Sequence, residues 1–212
     1  MPTRAHTRRD PQKGKKEFST NSGFTLIELM IGIGVLAILM SLALPSYRSI
    51  VEKRQVTSAA EQLTAFLSTM KGEAVKLNQN LAFSYSASDQ CMGFQQTMST
   101  CDCSTDSPTC QVGYDDDLDG DFERMTDRTF QFSQLKYPGV VSDVSFSGGS
   151  SVLVYDSVRG MLAPAFASGL VVSLVSSGGQ YALNVEIDRL GRVNICSPQS
   201  DDHSPVPGYE SC

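Results

Sequence analysis

The chain has 212 residues, of which 41% are hydrophobic, and a formal net charge of −6 at pH 7. The first 23 residues carry six Lys or Arg and two acidic residues, so the remainder carries a net charge of −10. Such acidity disfavours a general nucleic-acid-binding surface, which needs clustered basic side chains. The length suffices for one long helix and one globular domain.

An uncharged apolar run extends over residues 29–47. Its length is close to the roughly 20 residues that a helix needs to span a bilayer. A secretory signal typically has a small-residue cleavage site after its apolar region, and no such site follows this run. Because the residues before it are basic, we expect a single-pass membrane protein whose N-terminus is cytoplasmic and whose C-terminal domain lies on the opposite side of the membrane.

One carboxylate, Glu28, lies at the leading edge of this run, where an ionised group is costly and usually functional. Residues 23–29, GFTLIEL, together with the apolar helix and Pro45, resemble the N-terminus of type IV pilins and type II secretion pseudopilins. The resemblance implies that a prepilin peptidase removes residues 1–23 as a leader by cutting after Gly23. It further implies methylation of Phe24 and an assembly role for Glu28. The alternative is a plain membrane anchor with a chance glutamate.

The helix predicted over residues 24–47 continues as an amphipathic helix over residues 48–80. Pro45 should loosen or kink it, and the polar residues 78–80 should end it. One stripe of apolar residues recurs at helical period. The stripe comprises Val56, Ala59, Ala60, Leu63, Phe66, Leu67, Met70, Ala74 and Leu77. We expect it to pack on the protein's own sheet, and the alternative is a seam for a partner helix.

Residues 81–196 predict an antiparallel β-domain. Alternating residues over 81–85 indicate a first strand, and the cysteine-bearing segment 91–110 is predicted to be looped. Further strands are expected within 128–135, 140–146 and 152–155, the last two separated by a turn at 147–150. The segments 170–175, 180–187 and 192–196 predict a meander whose second turn is residues 188–191. Residues 197–212 predict an irregular, Pro-rich tail.

Four short segments of this part resemble the GspH/FimT family of minor pilins and pseudopilins. They are residues 70–76, the acidic turn at 115–121, residues 155–160 and residues 191–193. The family implies an α+β fold in which a long N-terminal helix packs on an antiparallel β-sheet domain, as the patterns also indicate.

The resemblance implies a structural subunit of a type II secretion pseudopilus or a type IV pilus. Its expected partners are other pilins, the prepilin peptidase and the inner membrane, and its final location is a periplasmic or extracellular filament. The alternative is a FimT-like module at the pilus tip that captures DNA for uptake. The sequence does not distinguish between the two machines.

Six cysteines follow the apolar run: Cys91, Cys101, Cys103, Cys110, Cys196 and Cys212. An even number on the oxidising side of a membrane predicts up to three disulfides. We expect Cys196 to pair with Cys212, because this bond would hold the tail in place. The alternative for Cys101, Cys103 and Cys110 is a zinc site, although the C-x-C spacing is unusual for one.

The sequence contains no recognisable catalytic set. The two histidines are His6, in the leader, and His203, in the tail. A nucleophile and base would therefore have to meet on a terminal segment. We expect neither enzymatic activity nor an organic cofactor.

An aspartate-rich stretch is the candidate metal site. Asp115, Asp117 and Asp119, followed by Gly120, fit the first half of a calcium-binding loop. The glutamate expected at the twelfth loop position is absent, and Thr126 stands there. A solvated acidic turn is therefore the alternative to a calcium site.

Arg189 and Arg192 flank the last predicted turn and are the candidate DNA contacts of the alternative function. Asn194 stands where a further arginine would complete a GRxR-like cluster. Two arginines on an acidic domain bind phosphate weakly. Nucleic acid is therefore not the expected partner.

Overall fold

The computed structural model describes residues 23–96, 99–104, 108–114, 124–148 and 152–212. The chain divides into two compact units, Met1–Ala43 and Leu44–Cys212. Helix α1, Leu26–Leu77, contributes residues to both units. Its backbone is helical at position 45, so Pro45 does not end the helix. The loosening or kink expected there stays a prediction.

In the first unit, α1 is apolar on every side. Its most apolar window has a mean hydropathy of 2.4, and none of that window is buried within the chain. By length and composition, this helix is able to cross a membrane. A helix of this character needs an apolar environment, which the described residues do not provide for this window.

In the second unit, α1 buries the predicted apolar stripe. Seven of its residues are at most 1% exposed: Val56, Ala59, Ala60, Leu63, Leu67, Met70 and Ala74. Phe66 and Leu77 are partly buried and pack at the margin of the same core. The expectation that the stripe packs on the protein's own domain is confirmed, and the partner-helix seam is wrong.

The helix ends where the polar residues predicted. Asn78 adopts a left-handed conformation with φ of 51°. The Asn78 N–H donates to the Val75 carbonyl at 3.3 Å, and the Gln79 N–H donates to the Ala74 carbonyl at 3.1 Å. These two bonds form a Schellman motif, in which Asn takes the place more often held by Gly.

Eleven strands lie in the described part of the chain. They are β1 (Leu81–Ser86), β2 (Cys91–Gln95), β3 (Gln111–Tyr114), β4 (Arg124–Asp127), β5 (Thr129–Gln131), β6 (Val141–Ser147), β7 (Leu153–Asp156), β8 (Met161–Leu162), β9 (Gly169–Val175), β10 (Ala182–Ile187) and β11 (Val193–Cys196). A five-stranded sheet has the order β5-β2-β1-β7-β8, a four-stranded sheet has the order β11-β10-β9-β6, and β3 and β4 form a ribbon. All these pairings are antiparallel, which confirms the predicted α+β class.

The predicted meander is confirmed as β9, β10 and β11. Its first pairing runs from Leu170 opposite Ile187 to Val175 opposite Ala182. Side chains alternate between buried and half-exposed along β10, as one-sided packing requires. The inward residues of this sheet join the same core as the α1 stripe and the five-stranded sheet. The largest hydrophobic core of the described residues therefore joins α1 to both of these sheets.

The segment 91–110 is not simply looped, as the sequence analysis expected, because β2 pairs with β1 in a hairpin. The chain reverses through residues 87–90, and Gln90 has φ of 47°. Met92 and Phe94 are fully buried by this pairing. The segment 128–135 is likewise only partly a strand, since a 3-10 turn over Phe132–Gln134 follows β5.

All six cysteines form disulfides: Cys91–Cys103, Cys101–Cys110 and Cys196–Cys212. The expected tail pair is confirmed. The zinc alternative for Cys101, Cys103 and Cys110 is wrong, because none of the three sulfurs is free to become a thiolate ligand.

The tail is irregular, as predicted, but it is firmly attached. The Ser197 N–H donates to the Glu210 carbonyl at 2.7 Å, and the Cys212 N–H donates back to the Ser197 carbonyl at 3.1 Å. Val206 is 3% exposed and belongs to the main core. The tail therefore contributes apolar burial as well as a covalent link.

Replacing Leu63 with alanine tests the importance of the α1 stripe. Leu63→Ala should lower the free energy of unfolding by about 2–5 kcal/mol, since Leu63 is fully buried and a cavity would remain. Gln62→Ala, on the exposed side of the same turn, should change it by less than about 0.5 kcal/mol. Denaturant unfolding of the full chain in detergent micelles measures both. Equal effects would contradict the packing described above.

Candidate processing and assembly site

The N-terminal site begins just before the helix. Gly23, Phe24 and Thr25 have no regular secondary structure, and α1 begins at Leu26. The Thr25 hydroxyl accepts the Glu28 N–H at 3.3 Å, and the Thr25 carbonyl accepts the Leu29 N–H at 3.2 Å. Thr25 is therefore the N-cap, and it satisfies one of the free donors of the first turn.

This cap leaves the predicted cleavage site outside the helix. The Phe24 side chain is 85% exposed, and the Gly23–Phe24 peptide has no helical hydrogen bond that cleavage would have to break. A peptidase is thus able to reach this bond without unwinding α1. Cleavage after Gly23 would leave only one residue, Phe24, ahead of the cap.

The Glu28 carboxylate has no hydrogen-bond or ion-pair partner among the described residues, although its backbone N–H is capped. Its place in the first turn favours a negative charge, because the helix dipole is positive there. The carboxylate is therefore exposed and has no partner among the described residues.

Thr25 is a residue that the sequence analysis missed as part of this site. The pattern Thr-x-x-Glu over residues 25–28 is a capping-box signature and would have identified it. The structure contains only half of the box, since the Thr25 hydroxyl accepts from Glu28 but the Glu28 carboxylate does not return a bond. This leaves the carboxylate available for another partner.

Three of the four family-like segments meet around the carbonyl of Gly191. That carbonyl accepts a hydrogen bond from the Lys71 ammonium at 3.3 Å and another from the Tyr155 hydroxyl at 3.2 Å. Tyr155 is fully buried, and burial raises the pKa of its phenol well above the usual range. The hydroxyl therefore remains a donor, and α1, β7 and the last turn are joined at one atom.

Gly191 itself is required by this arrangement. Its φ of +69° lies in the left-handed region, and an added Cβ would lie 2.6 Å from Tyr155 Cε1. A side chain here would displace the tyrosine from the carbonyl that it binds. Sequence patterns alone suggested a turn at this position, but not this contact.

The candidate DNA contacts lie on the same turn. Arg192 Nη2 is 2.6 Å from Asp188 Oδ2, and the Arg192 N–H donates to Asp188 Oδ1 at 2.9 Å. These contacts, the backbone bond first, lower the pKa of Asp188. Arg192 thus serves the turn, and its charge is already paired, while Arg189 is exposed.

The ribbon that leads to the aspartate-rich stretch is anchored on α1. Arg128 Nη2 donates to Glu73 Oε1 at 3.0 Å and to the Tyr114 hydroxyl at 2.7 Å. Tyr114 in turn donates to Glu73 Oε2 at 2.6 Å. Burial, and then the bond to Glu73, raises the pKa of Tyr114. This network fixes the end of β3.

The calcium-loop candidates Asp115, Asp117 and Asp119 lie outside the described residues. Calcium binding there stays a prediction. The network of Glu73, Tyr114 and Arg128 determines only where the stretch leaves the sheet.

The comparisons with known proteins agree with this arrangement. A capped apolar N-terminal helix that continues into an antiparallel β-domain defines a pilin-like protein, and the prokaryotic N-terminal methylation motif matches residues 18–44. The model of the type II transport protein GspH matches residues 59–191, which is more than half of the chain. The chain belongs to this GspH family.

Individual relatives match the N-terminal region. The type IV major alpha-pilin of Moraxella bovis is 45% identical over 47 residues, which are 22% of this chain and 30% of that protein. A fimbrial protein of Pseudomonas aeruginosa is 44% identical over 43 residues, which are 20% of this chain and 28% of that protein. The chain thus spans about a third of the length of the curated relatives it matches.

Two solved structures are similar at lower identity. The minor pseudopilin EpsH of the Vibrio cholerae type 2 secretion system is 11% identical with a TM-score of 0.43, covering 68% of this chain and 97% of that one. The type IV minor pilin FimU of Pseudomonas aeruginosa is 15% identical with a TM-score of 0.43, and the match covers 71% of this chain and 98% of FimU.

A pair of glycine substitutions tests the contact at Gly191. Gly179→Ala should cost about 1–2 kcal/mol, because φ is +73° but open space surrounds the new Cβ. Gly191→Ala should cost clearly more, since the same backbone penalty is joined by overlap with Tyr155. Thermal unfolding of the full chain in detergent compares the two. Equal losses would show that the Tyr155 contact is unimportant.

Proposed function

We propose that this protein is a minor pilin or pseudopilin, a structural subunit that joins a filament through the apolar part of α1. The main support for the proposal is the difference in burial between the two parts of α1. The window of α1 that is apolar on every side has no residue buried in the chain, whereas the α1 stripe that begins at Val56 fills the domain core. The unburied apolar surface of α1 would be covered by the lipid bilayer before assembly and by the helices of neighbouring subunits afterwards.

Processing precedes assembly in this proposal. The prepilin peptidase would cut after Gly23, at the exposed peptide ahead of the Thr25 cap, and methylate Phe24. The single-pass orientation, with the β-domain in the periplasm, follows from the basic leader. Three disulfides in that domain suit an oxidising compartment.

Glu28 would act in register selection. A carboxylate in an apolar phase costs about 2–3 kcal/mol near the bilayer centre and less near its face. Pairing it with the amine of a processed Phe24 offsets that cost, most strongly where water is excluded. When the amine belongs to a neighbouring chain, the pair forms at one axial offset only, so it selects the register of adjacent helices.

DNA capture is not the function favoured here. The Arg192 charge is paired with Asp188, which leaves Arg189 as the one candidate contact without a carboxylate partner among the described residues. A single free arginine on a domain of net negative charge gives little affinity for phosphate. The work of this subunit, in either filament, would be assembly rather than catalysis.

The cleavage site is tested by Gly23→Leu. This variant should accumulate in the membrane as the full-length chain, because a peptidase site that accepts glycine has no room for a branched side chain. Gly34→Leu, deeper in α1, should be processed normally. Intact-mass spectrometry measures both. A mature N-terminus other than Phe24 in the natural chain would refute the assignment.

The assembly role is tested by Glu28→Val. Membrane insertion and cleavage should persist, since the substitution removes a polar group from an apolar helix, but incorporation into filaments should fall. Glu28→Asp keeps a carboxylate at this position, so it should retain part of the natural chain's incorporation into filaments. A photo-crosslinking amino acid at the exposed position Ile38 reports helix neighbours. Equal crosslinking of Glu28→Val and the natural chain would limit Glu28 to a role within its own subunit.

A further inference from the structure

A groove on the second unit is lined by three cationic side chains and one carboxylate. Its volume is about 500 Å³, and we call it the basic groove. One wall is α1, and the other is formed by the segment after the 3-10 turn and by the tail. The lining residues are Lys53, Arg54, Thr57, Ser58, Glu61, Lys136, Tyr137, Val206 and Pro207.

The three cations of the basic groove are not neutralised within the chain. None of Lys53, Arg54 and Lys136 forms an ion pair with a carboxylate in the described ranges. The Lys53 ammonium lies 5.0 Å from the centre of the Tyr181 ring, and the Lys136 ammonium lies 5.6 Å from that of Tyr137. Aromatic faces hold a cation in place without cancelling its charge.

Elsewhere in the described domain, three arginines contact carboxylates, whereas the exposed Arg189 does not. Arg128 contacts Glu73, Arg192 contacts Asp188, and Arg159 lies within 4.0 Å of Asp156. The basic groove instead places three cations beside the single carboxylate of Glu61. Like charges from two separate elements repel one another, so this cluster is better satisfied when an anionic partner occupies it.

We propose that the basic groove docks a carboxylate-rich segment of a neighbouring filament subunit. This proposal rests on the filament role and names a surface for one subunit contact. A peptide with two or three carboxylates would complement the charge of the three cations, while its backbone would contact Thr57 and Ser58. This chain contains an example of the ligand chemistry, with five aspartates among residues 115–121.

A long polyanion suits the groove less well than a short acidic peptide. The chain without its leader carries a net charge of −10, which repels an extended polyanion along its length. A short segment interacts only with charges within about one Debye length, roughly 8 Å at physiological salt. Docking between unlike surfaces is a heterologous contact, which builds an open helical filament when its rotation does not close a ring.

Photo-crosslinking in the host that builds the filament tests this proposal. A photo-crosslinking amino acid at Ser58 of the full chain should form adducts with another filament subunit, and peptide mass spectrometry should place them in an acid-rich segment. The same photo-crosslinking amino acid, placed instead at position 38, monitors filament assembly through α1.

Charge reversal supplies the matched comparison. Arg54→Glu/Lys136→Glu should lower the Ser58 adduct yield about tenfold, because two attractions become repulsions. Arg159→Glu/Arg189→Glu makes the same change in net charge outside the groove and should leave the yield within about twofold. Both double variants alter exposed side chains, and thermal unfolding confirms that each is folded.

The possible outcomes separate the two proposals. Ser58 adducts on lipid, on nucleic acid or on a segment without acidic residues would overturn the docking proposal. So would a yield that the groove variant leaves unchanged. Ile38 adducts without Ser58 adducts would contradict docking alone, whereas failure of both positions would contradict the filament role and docking together.

Discussion

The burial of one helix face decides the structure of this protein. In its second unit, α1 contributes seven residues to the core that are at most 1% exposed, and both larger sheets pack inward residues into the same core. The same helix is apolar on every side in the first unit, where no described residue covers its most apolar window. Because apolar surface is driven from water in both places, a single helix fills the domain core at one end and presents an apolar surface that requires an apolar environment at the other.

Polar contacts then determine the position of α1 on the sheets, which hydrophobic burial alone does not specify. Burial alone does not specify the rotation and height of a helix on a sheet, since many apolar surfaces fit nearly as well. The Gly191 carbonyl, which accepts from Lys71 and Tyr155, ties the last turn to α1. The network of Glu73, Tyr114 and Arg128 does the same for β3. The first joins the later part of α1 to the turn before β11, and the second joins it to β3, so together they restrict how the helix can shift.

Disulfides and the tail complete the domain where its core is thin. Cys91–Cys103 and Cys101–Cys110 enclose the connection after β2, which otherwise has few apolar side chains to bury. Cys196–Cys212 returns the chain end to β11. The tail also lines the basic groove through Val206 and Pro207, so its attachment shapes the surface on which the docking proposal depends.

The sequence by itself determined the local features that have a clear hydrophobic periodicity or are bounded by turn-forming residues. These are the apolar run, the α1 stripe, the helix end at Asn78, the final meander and the pairing of Cys196 with Cys212. Only the tertiary structure decided which distant residues meet: the β1–β2 hairpin, the separation into two sheets, the other two disulfides and the contacts of Gly191. Helical and strand periods reflect neighbours along the chain, whereas strand partners, cysteine partners and the clearance around a glycine depend on packing that no short stretch of sequence contains.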